Sequence, residues 1–331
     1  MSSNTKVPLE QEDRGNGEVD DKGHWRPAHP SFYAPIFEWP PNLGRILTWL
    51  FGWGGFIWPA NIIYVGLAFF AFRYLQPGLA AYETLSFLPI VAIVLRNLAL
   101  TFIVYGSYHL LLYRLKVQGR KQKYHPAWQQ TSSKKFLFGN QTLDNMFYTC
   151  VSGVTIWSAY EIGYFWGAAN GYFPLLTFSQ SPWWFVGLFF LIPFVRETHF
   201  YFIHRIIHWP PLLRAVHSVH HRNPNPGPWS GMSMHPVEHL LYFSFVFLFL
   251  VVPAHPAHVL FATFLAGLTP AKGHSGFEAP VLGVWPESDY FHYLHHKHVS
   301  CNFGTGLVPW DKWLGRFHDG KGPYKTSRPK R

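Results

Sequence analysis

Residues 87–113 (FLPIVAIVLRNLALTFIVYGSYHLLLY) carry a single charged side chain, Arg96. A backbone inside hydrocarbon must satisfy its own N–H and C=O groups, so a stretch this long and apolar is expected to cross a membrane as a helix. A cation at mid-bilayer costs about 2.5–3.5 kcal/mol on the insertion scale, which predicts that Arg96 faces protein or reaches an interface. Three further stretches read as spans: Ile57–Tyr74, 147–168 with Glu161 inside it, and a run from Trp183 and Trp184 through Phe194. Two shorter runs, 240–252 and 259–268, are separated by Pro253, His255 and Pro256. They read as a hairpin dipping into the bilayer or as two spans lengthened by their flanks, and both forms return the chain to the side it left.

Composition fits this picture. The chain is 48% hydrophobic but only 13% charged, about half the charged share of an average soluble domain. The formal net charge is +10, and the basic residues flank apolar spans instead of forming a polar face, which argues against nucleic-acid binding. Lys116, Arg120, Lys121, Lys123 and Lys134 lie in the loop 114–135 and predict a cytoplasmic position for it. The two cysteines, Cys150 and Cys301, make neither a disulfide framework nor a thiolate metal site. The polar, acidic start of the chain predicts a disordered lead-in and no cleavable signal peptide.

Histidines recur at helical spacing where the fourth span ends. His204 and His208 form H-x-x-x-H; His217, His220 and His221 form H-x-x-H-H; His292, His295 and His296 repeat that spacing later. Side chains at i, i+3 and i+4 share a helix face, so each set is expected to aim in one direction. Neutral imidazole suits iron, zinc and copper, and eight motif histidines are too many for one four-coordinate ion and suit two. Among further candidates, His274 ranks ahead of His235, and His235 ahead of His239. Glu197, Glu238, Glu278 and Asp289 could accept the second ring N–H of a ligand. Arg205 and Arg222 could hold such carboxylates or dock an acidic partner. With the N-terminus inside, counting spans brings all three sets and the basic C-terminus to one cytoplasmic face. The competing reading is a histidine-rich interfacial patch.

The expected fold is therefore all-α: a multi-pass helical membrane protein with a cytosolic-face helical cap carrying the histidine metal site. Its divisions are a polar, irregular lead-in (1–45), a transmembrane pair with the basic loop (46–146), a catalytic domain (147–318) and a basic tail (319–331).

At these residues the sequence resembles the fatty acid hydroxylase/sterol desaturase superfamily of membrane di-iron enzymes. The resemblance rests on His-Arg-Ile-Ile-His at 204–208, His-Ser-Val-His-His at 217–221, His-Pro-Val-Glu at 235–238, His-Ser at 274–275 and His-Tyr-Leu-His-His at 292–296, with Asn302-Phe303-Gly304 and Trp310-Asp311 after them. It implies an O2-dependent oxidation of a lipid C–H bond by two iron ions. The implied ligands are His204, His208, His217, His220, His221, His274, His292, His295 and His296, with His235 as a further member. Electrons would come from a separate donor, cytochrome b5 or a ferredoxin with its reductase, because nothing here reads as the His-Pro-Gly-Gly haem motif of a fused cytochrome b5. Phe200, Tyr201, Phe202, Trp229 and Phe277 are expected to line a substrate channel.

Hydroxylation and desaturation share their first hydrogen abstraction, and the motifs do not separate them. The segments at 235–238 and 274–278 favour a sterol-type substrate over a fatty acyl one. The setting is the endoplasmic reticulum or a bacterial inner membrane. The alternative is a non-redox membrane protein that binds zinc or a lipid.

Overall fold

Local start signals account for most of the helices. The computed structural model describes residues 14–28, 33–281, 283 and 289–322. Asn42 accepts the Arg45 N–H ahead of α1 (Leu43–Phe51), and α2 (Ile62–Tyr74) follows a wide turn at Ile57–Asn61. The 87–113 stretch becomes α3 (Phe87–His109), extended by one wide turn to Arg114. Asn140 caps α4 (Gln141–Phe147), which runs through another wide turn into α5 (Val154–Ala169). Pro182 opens α6 (Pro182–Ile207) at a first-turn position, where its missing N–H has no partner to lose. Then come α7 (Pro210–Leu212), α8 (Ser218–His221) and α9 (Pro236–Phe243), which tightens into a 3-10 segment at Ser244–Leu250. The rest is α10 (Pro256–Leu268), α11 (Pro270–Gly273), α12 (Tyr290–His298) and α13 (Trp310–Trp313). One two-residue pair, β1 (Glu18–Val19) with β2 (Trp25–Arg26), is the sole sheet among the described residues.

Among the described residues, three helical stretches are long and apolar enough to cross a membrane: Ile57–Tyr74, Phe87–Arg114 and Pro182–Ile207. The protein is thus an all-α membrane protein. The expected span at 147–168 is helical but does not join that group. Glu161 interrupts its apolarity and is buried against neighbouring helices, as are Gln141, Asp144 and Asn145 in the helix that leads into it.

The 240–268 region decides between its two expected forms. The Leu176 N–H bonds the Ala254 carbonyl at 3.1 Å, the Ala254 N–H bonds Pro174 at 3.2 Å, and Trp184 Nε1 donates to Pro253 at 3.1 Å. Residues 174–184 join α5 to α6 at the end of the bundle opposite His204, and α6 is about 39 Å long at 1.5 Å per residue. The hairpin therefore traverses the bundle rather than dipping into it. Its returning arm, α10, is buried at every position and forms the centre of the core, packed on α2, α3, α5 and α6.

Arg96 takes the protein-facing option. Its guanidinium pairs with Glu161 and reaches Gln76, with both ionic side chains almost wholly buried. Glu161 also accepts from Trp157 Nε1 at 2.7 Å, Asn97 Nδ2 at 3.0 Å and the Thr263 hydroxyl. Pairing with further hydrogen bonds is what makes a buried charge tolerable in an apolar bundle.

The lead-in departs from expectation within its described part. Residues 1–13 lie outside the described residues, as do 323–331 of the basic tail. From Arg14 onward, however, the chain is packed. Trp25 is 1% exposed and sits with Tyr124, Tyr290, Tyr293 and Leu294, so this arm backs α12. Hydrogen bonds add to that burial: the Trp25 N–H bonds the Tyr124 carbonyl at 2.9 Å, and Arg14 donates to the Lys123 carbonyl at 3.0 Å.

Candidate metal centre

Four pieces of chain bring the histidines together. α6 ends in His204 and His208; a wide turn at Leu213–His217 leads into α8; His274 follows α11; α12 supplies the last three. Asp289 starts α12 by accepting the His292 N–H at 2.8 Å, and Val299 ends it in a left-handed conformation. Nine imidazoles converge and sort into two sets. His204, His208, His217, His221 and His295 form one, and His220, His274, His292 and His296 form the other, with the donor atoms of each set within 4.8 Å of one another.

The sorting keeps His204 and His208 together, as expected, but corrects the expectation that each H-x-x-H-H motif aims one way. Residues i and i+4 of H-x-x-H-H go to one set and i+3 to the other. In 217–221 the pair serves the first set, and in 292–296 the pair serves the second. Neighbouring residues on a helix are about 100° apart, so two adjacent histidines can straddle a boundary between two sites.

In the first set the Nε2 atoms of His204 and His217 are 3.1 Å apart, those of His208 and His295 3.2 Å, and those of His221 and His295 3.0 Å. In the second, His274 Nε2 lies 3.3 Å from His220, 3.1 Å from His292 and 3.1 Å from His296. With a metal–nitrogen bond of about 2.0–2.1 Å, ligands at right angles stand about 2.9 Å apart and tetrahedral ones about 3.3 Å. The observed spacings fall in that range.

Tautomers make the same point. A backbone carbonyl only accepts, so a ring nitrogen bonded to one must carry the proton. Phe303 O holds His204 Nδ1 at 2.6 Å, Cys301 O holds His295 Nδ1 at 2.7 Å, and Pro270 O holds His274 Nδ1 at 3.1 Å. Each of these rings therefore presents an Nε2 lone pair to the cluster. The single lone pair of His274 faces three other ring nitrogens and can accept one N–H at most. A cation between them resolves the crowding, and the donor set fits a metal at each position.

Burial, followed by repulsion from neighbouring imidazoles, holds His217, His221 and His296 far below the ordinary histidine value, and burial pushes His220 down to about 4. These rings are neutral at physiological pH, the form that ligates.

Of the four carboxylates expected behind the ligands, Glu238 takes that place: its Oε1 is 2.7 Å from His217 Nδ1. Glu197 instead accepts the Thr305 N–H at 2.7 Å, Asp289 caps α12, and Glu278 accepts from Tyr124. Arg222 does hold a carboxylate, Asp144 at 3.3 Å, while Arg205 stacks over Phe303. The carbonyls of 301–303 were not foreseen as ligand supports, although Asn302-Phe303-Gly304 and Asp311 marked the spot. Asp311 accepts the N–H groups of Phe303 at 2.9 Å and Gly304 at 2.8 Å, fixing the turn. A Cβ on Gly304 would come within 2.7 Å of the Glu197 carboxylate, so the close approach needs glycine.

His235 does not join either set. It stands at the N-terminus of α9, its Nδ1 accepting the Val237 N–H at 3.2 Å, and His255 ahead of Pro256 does the same for α10. A His-Pro pair at a helix start is thus a cap here, a role the motif alone did not reveal. His239 is also apart, bonded to Ser152 at 2.9 Å and to the Met232 carbonyl.

A cavity beside the two sets is lined by Arg196, Phe200, Glu238, Tyr242 and Asp289 together with five of the histidines. Of the five aromatics expected in a channel, Phe200 lines it. Tyr201 and Phe202 pack on Trp310, Trp229 on Tyr105, and Phe277 on Tyr113.

The histidine-bearing segment has known counterparts. The fatty acid hydroxylase family model matches residues 189–316, from α6 through α13. Over that segment the chain is similar to the fatty acid hydroxylase/sterol desaturase superfamily. Among relatives of this superfamily it is 25% identical to a Delta(7)-sterol 5(6)-desaturase of Gibberella zeae over 59% of each chain. It is 27% identical to a methylsterol monooxygenase of Aspergillus fumigatus, over 43% of this chain and 55% of that one. A C-4 methylsterol oxidase of Schizosaccharomyces pombe is 30% identical over 40% of this chain and 46% of its own. The chain spans about half the length of the curated relatives it matches. No solved structure gives a significant match.

Proposed function

We propose that the protein is a membrane-bound, O2-dependent oxidoreductase that uses two iron ions to hydroxylate or desaturate a lipid, of sterol type before fatty acyl. The observation that carries this is the division of nine buried or half-buried imidazoles into two separate donor sets. His204, His208, His217, His221 and His295 would hold one ion, and His220, His274, His292 and His296 the other. Iron held there would supply activation of O2 and attack on an unreactive C–H bond.

The protein's own groups orient the site and keep it dry. Phe303, Cys301 and Pro270 fix three imidazoles through their Nδ1 protons, and Glu238 does the same for His217. Phe200 and Tyr242 close the cavity with aromatic rings, excluding water from a reaction that would otherwise lose its oxidising equivalents. The partly exposed His208 and His221 make the first set the one nearer solvent, the side from which a separate donor, cytochrome b5 or a ferredoxin with its reductase, would deliver electrons.

The positive-inside reading of loop 114–135 puts the histidines on the cytoplasmic face, and relatives that act on sterols favour the endoplasmic reticulum. The catalytic domain would cover 147–318. A non-redox zinc- or lipid-binding role is disfavoured, because the relatives named above are desaturases and oxidases. The test is purified protein in lipid nanodiscs with NADH, cytochrome b5, its reductase and a mixed pool of Delta(7)- and 4-methylsterols. An oxygenated or dehydrogenated sterol that requires O2 and vanishes in His204→Ala supports the function. Bound zinc and no product in that assay, or with a ferredoxin and its reductase in place of cytochrome b5, refutes it.

A further inference from the structure

The cavity beside the histidines has only about 70 Å³ of free space, room for a few waters at about 30 Å³ each and not for a lipid. A larger space lies across the same two elements. Between α6 and the 3-10 segment Ser244–Leu250 runs a groove of about 600 Å³, lined by Val195, Thr198, His199, Phe245, Phe247 and Leu248 among others. That volume is within the range of small-molecule sites, about 300–1,000 Å³.

The partition between groove and cavity is thin. On the cavity side the Phe200 and Tyr242 rings meet edge to face at 5.8 Å. On the groove side His199 meets Phe245 at 5.9 Å, and its Nε2 is 2.9 Å from the Ser244 hydroxyl. The Ser244 proton is already committed, at 2.7 Å, to the Leu241 carbonyl. His199 must therefore donate through Nε2, which leaves Nδ1 with a lone pair that takes no hydrogen bond among the described residues. The mainly apolar groove thus carries, beside the Thr198 and Ser244 hydroxyls, a ring nitrogen whose lone pair is uncommitted among the described residues. Its lip is open, with Phe247 56% and Val251 76% exposed, beside Pro182–Ile207, a helix long and apolar enough to cross a membrane.

We propose that this groove binds a membrane lipid bearing a hydroxyl group, donated to His199 Nδ1, and that the His199–Ser244 and Phe200–Tyr242 contacts are the partition such a lipid passes to reach the metals. The occupant is a lipid and not a protein helix because the opening faces hydrocarbon and connects, through one layer of side chains, to the oxidising site. This inference rests on the function proposed above and is testable apart from it.

The probe is a diazirine-bearing sterol with a free 3-hydroxyl, compared with its 3-methyl ether, photolysed with the full-length metal-loaded protein in nanodiscs. Labelling should map to 194–199 and 244–251 and favour the free hydroxyl at least fivefold. Leu248→Trp, which fills the groove from a lipid-facing position, should reduce labelling at least fivefold with metal content unchanged. His199→Phe should retain labelling and bring the hydroxyl preference close to one. Labelling confined to other segments, equal labelling of the methyl ether in the unaltered protein, or full labelling of Leu248→Trp would each overturn the proposal. A protein that labels as described but makes no oxidised product would refute the enzymatic reading and leave the groove assignment standing.

Discussion

His220 and His221 are adjacent in sequence, yet their rings stand 5.9 Å apart at 83° and belong to different donor sets. His220 Nε2 approaches His274 at 3.3 Å, and His221 Nε2 approaches His208 at 3.2 Å. His295 and His296 repeat the arrangement with the sets exchanged, at 6.0 Å and 82°. Two short helices thus each contribute to both sets.

The two neighbours should nevertheless differ when removed. His220→Ala leaves its set three imidazoles, whereas His221→Ala leaves the other set four. Metal analysis should give about one ion per chain for His220→Ala and close to the full complement for His221→Ala, with both proteins still in the membrane fraction. Equal losses in the two variants would contradict the sorting.

Glu238 supports His217 from behind. Ligand-orienting carboxylates are worth roughly 10–100-fold in metal affinity or activity. Glu238→Ala should weaken metal retention in a chelator titration by that factor at one site and leave the second site as it was. A uniform loss at both sites would indicate general destabilisation instead.

The Arg96–Glu161 pair is a stability element remote from the metals. Removing one partner of a buried pair costs about 3–5 kcal/mol because the other charge is left uncompensated. Glu161→Ala should lower thermal stability sharply, and the double change Arg96→Met with Glu161→Ala should recover part of the loss. No change in the melting temperature of Glu161→Ala would place the pair outside the folded core.

Burial determines how loading depends on pH. An imidazole of ordinary pKa near 6.5 loses about fivefold in ligating population between pH 6.5 and pH 5.5. The folded metal-free rings, with His220 at about 4 and His217 and His296 well below the ordinary value, stay neutral through that interval. The sign follows: protons compete with metal only below about pH 5, so affinity measured from pH 7.5 to pH 5.5 should change less than threefold. A steep decline beginning near pH 6.5 would mean that the rings are solvated.

Much of this was legible in the sequence because the signals were local. Apolarity marked three of the four expected spans, and i, i+3, i+4 spacing marked the histidines that converge. What spacing could not express was the third dimension. A motif read as one face proved to serve two centres, because the boundary between them cuts across each helix. His235 looked like a ligand by its motif, but capping is decided by where a helix starts. The carbonyls of Cys301 and Phe303 have no side-chain signature. The depth of the 240–268 hairpin followed from hydrogen bonds to residues 174–184, far from it in sequence.

The most direct test is the metal stoichiometry of the purified full-length chain, counted by mass spectrometry against amino-acid analysis. Two tightly held ions per chain, iron predominating after growth in iron-replete medium, is the expected result. One ion or none, in folded protein loaded with excess metal, would contradict the two-centre account.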